Sequence, residues 1–147
     1  MAIGDWIGEL KTVMMGITGM AAVYKHDEVP GTLIEFPCMI LMPQIGSGEY
    51  SVAGPNMTVH QVQCTLYVAP QLLTSAYGTA VSMINLWMRA VVANTRLNGT
   101  VAYCRPAAGR PWYQGPGAIG FNYGDKNLLG VIFSLDVKER ESGLTVS

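Results

Sequence analysis

The residues that most often carry out catalysis are few and widely spaced in this 147-residue chain. It contains two histidines, His26 and His60, and three cysteines, Cys38, Cys64 and Cys104. His60 and Cys64 are the closest such pair, but on one strand they would lie roughly 13–14 Å apart, because alternate residues of a strand are about 7 Å apart. A cysteine nucleophile needs its histidine within hydrogen-bond reach. The spacing therefore gives no support to nucleophilic catalysis at this pair.

Motifs for metals, phosphates and acyl transfer are also missing from the sequence. The cysteines and histidines have no CxxC or HxxxH spacing, and there is no GxSxG or Walker motif. The glycine-rich stretch 115–120 does not run from a strand into a helix, as a dinucleotide-binding loop must. His26 lies in a charged turn and His60 at the head of a strand, where we expect a solvated and a sheet-surface side chain. We therefore expect no enzyme, no metal and no cofactor, and we interpret the cysteines as buried thiols in a reducing compartment.

The composition excludes several other classes of protein. Apolar residues make up 50% of the chain and charged residues only 13%, about half the roughly 25% of a typical soluble domain. The net charge of −1 excludes a protein that coats nucleic acid or an anionic membrane through bulk charge. The longest early uncharged run, 12–24, is too short to span about 30 Å of hydrocarbon, so we expect a cytoplasmic chain without a membrane span. With so few charges, its surface is expected to be covered by a partner or by copies of itself.

The hydrophobic pattern predicts one α+β domain over residues 1–147, with an antiparallel sheet and two helices packed on it. We expect an ordered core over about 4–140 and a polar tail over 139–147. The first helix is predicted to run from a cap at Asp5 to Met20, and the second from Pro70 to about Ala93. The predicted strands are listed here in chain order: 38–42, 59–68, 100–105, and a hairpin of 119–123 with 128–138.

Two segments rich in glycine and proline separate these elements. Residues 44–58 are predicted to form a long loop or a protruding hairpin arm, and 106–117 a second long loop. The strand over 59–68 alternates, with Gln61, Gln63, Thr65 and Tyr67 on a wet or partner-facing side. The second helix has no charged residue before Arg89. We expect it to be covered on more than one side, the alternative being an uncharged face in solvent.

Charge is divided along the sequence. Residues 1–60 hold six acids against two bases, and residues 61–115 hold four arginines and no acid. Arginine suits ion pairs at interfaces and contacts with phosphate. The candidate ring-interface residues are Asp27, Glu28, Glu35, Glu49, Arg89, Arg96, Arg105 and Arg110. Three interpretations stay open: head-to-tail contacts between copies, arginines lining a channel for nucleic acid, or pairing within one monomer.

Three features of the sequence carry a resemblance to a known family. They are the order of elements, the turn Thr95-Arg96-Leu97-Asn98-Gly99-Thr100-Val101, and the segment from Tyr123-Gly124 through Leu129-Gly130-Val131-Ile132-Phe133-Ser134-Leu135-Asp136-Val137. Over about 4–140 the chain resembles the tail terminator, or tail completion, proteins of long-tailed bacteriophages. Asn98 departs from the pattern, which has a glycine at this place in the turn.

This resemblance implies a homohexameric ring that caps the tail tube, stops its polymerisation and joins head-completion proteins at the neck of the virion. It also implies assembly in the host cytoplasm and DNA passing through the lumen without sequence-specific binding. The two long loops are candidates for tube and neck contacts, and the residues named for them are Gln44, Tyr50, Asn56, Trp112, Tyr113 and Gln114. Trp112 and Tyr113 would be natural interface anchors, and packing inside their own subunit is the alternative.

Two further interpretations remain. Within the same class, the chain would be a head–tail connector or stopper, or a tail-tube subunit. From another class, it would be a cytoplasmic small-ligand-binding domain, with a methionine-rich pocket between helix and sheet lined by residues such as Met14, Met39 and Met83.

Overall fold

The computed structural model describes residues 3–31, 33, 35–49, 57–70, 74–121 and 126–139. The elements in chain order are α1 (Ile3–Met15), β1 (Ala22–Lys25), β2 (Cys38–Glu49), β3 (Met57–Ala69), α2 (Thr74–Ala93), β4 (Val101–Pro106), β5 (Tyr113–Phe121) and β6 (Lys126–Glu139). Two helices packed with one curled sheet make an α+β fold, as the sequence predicts.

The sheet has the order β1-β2-β3-β6-β4, and β5 also pairs with β6. Because β3 occupies one side of β6, β4 and β5 follow each other along the other side, opposite 135–139 and 126–133 respectively. The predicted antiparallel pairing holds for β2, β3, β4, β5 and β6, and the sheet is mixed because β1 pairs with β2 in parallel. Residues 26–37 provide the crossover of about a dozen residues that a parallel pair needs.

Each helix buries one apolar stripe against the sheet. α1 packs on β1 and β2, and α2 packs across β3, β4, β5 and β6. The largest fully buried side chains include Trp6 of α1, Trp87 of α2 and Phe133 of β6. The predicted first helix is too long. In the structure α1 ends at Met15, and Ile17 reaches the core from the turn that follows. It also begins at Ile3, so Asp5 lies inside it and not at the cap position.

The far side of the sheet, which we call the open face, carries a second small core. It consists of Leu33, Cys38, Ile40, Tyr67 and Leu128. The expected wet side of β3 is therefore wrong at one end, where Thr65 is 6% exposed and Tyr67 5% exposed. The Tyr67 hydroxyl donates to the Gly120 carbonyl at 3.1 Å, because β5 curls over this end of the sheet.

The first glycine-rich segment is a hairpin arm, and the alternative of a long loop is wrong. β2 and β3 pair from Cys38 opposite Tyr67 as far as Glu49 opposite Met57. The expected strand end at Met42 is also wrong, since β2 continues through Pro43. β1 reaches only to Leu41, so the strand needs no N–H donor toward β1 at Pro43.

Half of the second glycine-rich segment is strand, so the expected loop over 106–117 is shorter than predicted. β4 runs to Pro106 and β5 begins at Tyr113, which leaves 107–112 as the connection. β5 has no second strand beside it among the described residues. At such an edge, Pro116 is accommodated by the register shift between Gln114 and Gly117. The predicted hairpin of β5 with β6 is confirmed by the pairing of Ile119 with Leu128, and its turn lies outside the described residues.

The backbone of the turn between α2 and β4 accommodates Asn98, at a position where the resemblance leads us to expect a glycine. Leu97, Asn98 and Gly99 have φ values of 43°, 57° and 80°. Asparagine adopts this left-handed conformation more readily than most residues, so Asn98 fits the turn without a glycine. Leu97 is 1% exposed and anchors the turn in the core.

Candidate interaction surface

Three of the predicted acidic residues lie in the segments that flank β1, at one edge of the sheet. Asp27 and Glu28 follow β1 directly, and Glu35 lies in the segment that leads to β2. All three are exposed. Burial raises the pKa of the Tyr24 phenol, and the Cys38 thiol and the Glu35 carboxylate add to that rise.

Glu28 has partners within its own chain. Its Oε1 accepts hydrogen bonds from the Lys25 backbone N–H at 3.0 Å and from Lys11 Nζ at 2.9 Å. These contacts lower the pKa of Glu28, and the hydrogen bond from the Lys25 backbone has the largest effect. Glu49 ends β2, and its side chain lies outside the described residues. Asp27 and Glu35 are therefore the carboxylates of this edge that have no cation within ion-pair distance among the described residues.

The predicted basic residues gather around β4, at the other end of the sheet order. Arg96 lies in the turn before β4, Arg105 lies on β4, and Arg89 lies on α2, which leads into that turn. All three are exposed. The Arg105 guanidinium carbon lies 4.3 Å from the centroid of the Tyr103 ring. Within the described part of the chain, no carboxylate lies within ion-pair distance of these arginines.

Arg110 differs from the other arginines because it is paired inside the chain. Its Nη2 donates to Asp136 Oδ1 at 2.8 Å, and Asp136 is 9% exposed. The interpretation that the charged residues pair within one monomer therefore applies to Arg110 and Glu28. It does not apply to Arg89, Arg96 or Arg105. The acid opposite Arg105 in the β4–β6 register is Asp136, and that carboxylate is bonded to Arg110.

Exposed apolar side chains lie on the elements that flank both charged edges. Met15 ends the helix before β1, and Val29 follows the acidic turn; they are 42% and 37% exposed. On the other side, Val81 and Val92 of α2 are 52% and 60% exposed, and Tyr113 of β5 is 39% exposed. α2 is thus covered on one side by its own chain, and its outer face, although almost uncharged, is open.

The candidate loop residues are placed differently from one another. Trp112 packs against the core, with its ring stacked 5.8 Å from that of Trp87 and 6.4 Å from that of Phe133. The alternative of packing inside its own subunit thus describes Trp112. Tyr113 and Gln114 are exposed on β5, and Gln44 is exposed on β2. Two more candidates, residues 50 and 56, lie outside the described residues.

The histidines and cysteines do not form a reactive group. His26 is exposed in its turn, whereas the expected surface position of His60 is wrong, because its ring lies 5.2 Å from that of Trp6. The three thiols are buried and free. Burial raises the pKa of Cys38 and Cys104 to about 12 and that of Cys64 further, so the thiols stay protonated and unreactive near neutral pH.

Neither a metal cluster nor a membrane helix is found in the described ranges. No group of three or more histidine, cysteine or acidic residues in them is placed to hold a metal ion. No helix there has the length and hydropathy to cross a membrane.

The methionines expected to line a pocket between helix and sheet fill the core instead. Met14 and Met39 are 0% exposed and Met83 is 3% exposed. A groove of about 280 Å³ lies on the open face, and its lining residues are Val29, Ile40, Met42, Gln44, Gln63, Thr65, Tyr67 and Gly120. None of these side chains is charged.

No protein-family model matches this sequence, and no curated protein is significantly similar to it. The two charged edges of the sheet, each with exposed apolar side chains, are therefore the features on which a functional proposal has to be built.

Proposed function

We propose that this chain is a structural tail terminator subunit that forms a homohexameric ring at the end of a phage tail tube. The ring stops polymerisation of the tube and presents a surface for joining the head and neck proteins. One observation carries the proposal: unpaired arginines and unpaired carboxylates lie at opposite edges of one sheet, each beside exposed apolar side chains. Such a subunit is complementary to copies of itself.

Opposite complementary edges favour a closed ring over a twofold dimer. A contact between two different patches is heterologous, and repeating it generates a ring when the rotation closes. The similarity in element order to tail terminators supports six copies. The β2–β3 arm reaches past the last described β3–β6 pair, Val59 with Lys138, and is a candidate for contact with the tube or neck.

A growing tail tube provides the test that separates a terminator from its nearest alternatives. Tube subunits of the same phage are polymerised in vitro with the labelled chain at substoichiometric amounts. We expect shorter tubes with label at one end only. Label along the whole tube would identify a tube subunit instead. Tubes of unchanged length without label would contradict the proposal and favour a head–tail connector or stopper, which binds further up the neck.

The uncharged groove on the open face favours a small-ligand binder as the second candidate function. Its lining combines apolar Ile40 and Met42 with the amides of Gln44 and Gln63. A neutral ligand that binds only the folded chain raises its melting temperature by mass action. No such rise across a broad panel of neutral compounds would remove this candidate.

A further inference from the structure

We infer that the contact between neighbouring copies joins the acidic edge of one chain to the basic edge of the next. The acidic edge is Met15, Asp27, Val29 and Glu35, and the basic edge is Arg89, Val92, Arg96 and Arg105. This inference rests on the proposed ring and specifies its partner surface, a second copy of this chain. It assigns a role to charges that have no described ion-pair partner within one subunit.

The order of the strands is the first support. β1 and β4 occupy the two ends of the path β1-β2-β3-β6-β4, so the acidic and basic edges lie at opposite ends of the sheet. Within one chain, Asp27 and Glu35 therefore have the whole width of the sheet between them and Arg105. Between two chains placed side by side, the same edges become neighbours. Complementary charge across a contact fixes its orientation and suppresses wrong pairings.

The exposed apolar residues are the second support, because they accompany the charges at both edges. Each outer strand is preceded by a helix whose end carries one: Met15 before β1 and Val92 before β4. Val29 is a third exposed apolar residue and lies between Asp27 and Glu35 in the sequence. Apolar area removed from water supplies the affinity that exposed charge pairs alone do not.

The outer strands indicate that side chains, and not added backbone pairing, make this contact. β1 has only four residues, and β5 contains Pro116, which has no N–H to donate. At β4, the backbone N–H groups of Val101 and Cys104 donate to the carbonyls of Arg96 and Thr95. Short strands, proline and internally bonded donors are the features that protect a sheet edge from strand addition.

A pair of charge-reversed variants tests the contact. The acid-reversed variant carries Asp27→Lys and Glu35→Lys, so both of its edges are basic. The base-reversed variant carries Arg96→Glu and Arg105→Glu, so both of its edges are acidic. We expect each variant alone to lose the assembly, because every junction then brings like charges together. A 1:1 mixture should restore it, because every junction of an alternating ring is complementary.

The control is Ser75→Lys, an exposed change near the start of α2 and roughly 20 Å along the helix from Arg89, which should keep the assembly of the unmodified chain. Melting curves show whether each variant is folded. If a double variant does not fold, the single changes Glu35→Gln and Arg105→Gln replace it, and each should weaken assembly severalfold and reduce its sensitivity to salt.

The outcomes separate this inference from the proposed function. If the unmodified chain assembles and the reversed variants do so equally well, the ring stands and the edge contact is wrong. A mixture that stays monomeric while both variants are folded would also overturn the edge contact. If the unmodified chain never assembles, alone or on a tube end, both proposals fall.

Discussion

At the scale of single residues, the chain separates charges that are used internally from charges that are free. The Arg110–Asp136 bond joins the β4–β5 connection to the open face of β6. Asp136 is 9% exposed, so its carboxylate depends on this partner. Charge patterning along the sequence groups Arg110 with Arg89, Arg96 and Arg105. Only the fold brings Asp136 to it, because the two residues are 26 positions apart.

We predict that Arg110→Ala lowers the free energy of unfolding by about 1–3 kcal/mol, because it leaves a largely buried carboxylate without its charged donor. Arg96→Ala is the matched control and should change stability by less than about 0.5 kcal/mol, since Arg96 is exposed. Urea unfolding of the dispersed monomer measures both values. Equal effects of the two substitutions would show that the Arg110 bond is not stabilising.

At the scale of elements, β6 holds the fold together, because β3, β4 and β5 all pair with it. Its Gly130 lies opposite Tyr67 of β3 on one side and Gly117 of β5 on the other. A Cβ at Gly130 would collide with the Leu66 carbonyl oxygen of β3. A Cβ at Gly117 would meet no atom within 4 Å. Of these two facing glycines, only Gly130 therefore lacks room for a side chain.

Gly130→Ala should destabilise the chain by about 1–3 kcal/mol, because the backbone of β3 has to move to admit the methyl group. Gly117→Ala, which changes the residue opposite Gly130 on β5, should be close to neutral. Thermal unfolding of the two variants under one set of conditions compares them. A neutral Gly130→Ala would mean that the β3–β6 pair is looser than the structure describes.

The elements also show how far the sequence predicts this fold. The stripe of α2 and the alternation of β6 were predictable, because long amphipathic segments repeat their pattern; Val131, Phe133, Leu135 and Val137 are all 0% exposed. β1 was not, because four residues are too few to establish a period. Only the first part of β5, residues 113–117, was interpreted as a loop, on account of its glycines and Pro116, which an edge strand tolerates.

At the scale of the whole molecule, the candidate surface was only half predictable. The sequence separates acids from arginines along the chain, but not in space. The separation in space arises because β6 inserts between β3 and β4, which moves the arginine-bearing strand to the far end of the sheet. The exposed apolar side chains of α2 likewise follow from which stripe the sheet covers.

A chain with two complementary edges should form an assembly that grows to a fixed size and then stops. The edges are each used once in a closed ring, so no free edge remains for further addition. This property distinguishes the proposed ring from an open filament, in which the same contact repeats without closing, and from a monomer with a solvated, uncharged helix.

The most direct measurement of this central claim is native mass against concentration, with negative-stain images of the largest species. We predict a plateau near six times 15.8 kDa, about 95 kDa, and particles with a central hole. A mass of 15.8 kDa at every concentration, with tube ends added as well as without them, or growth without limit, would contradict the account.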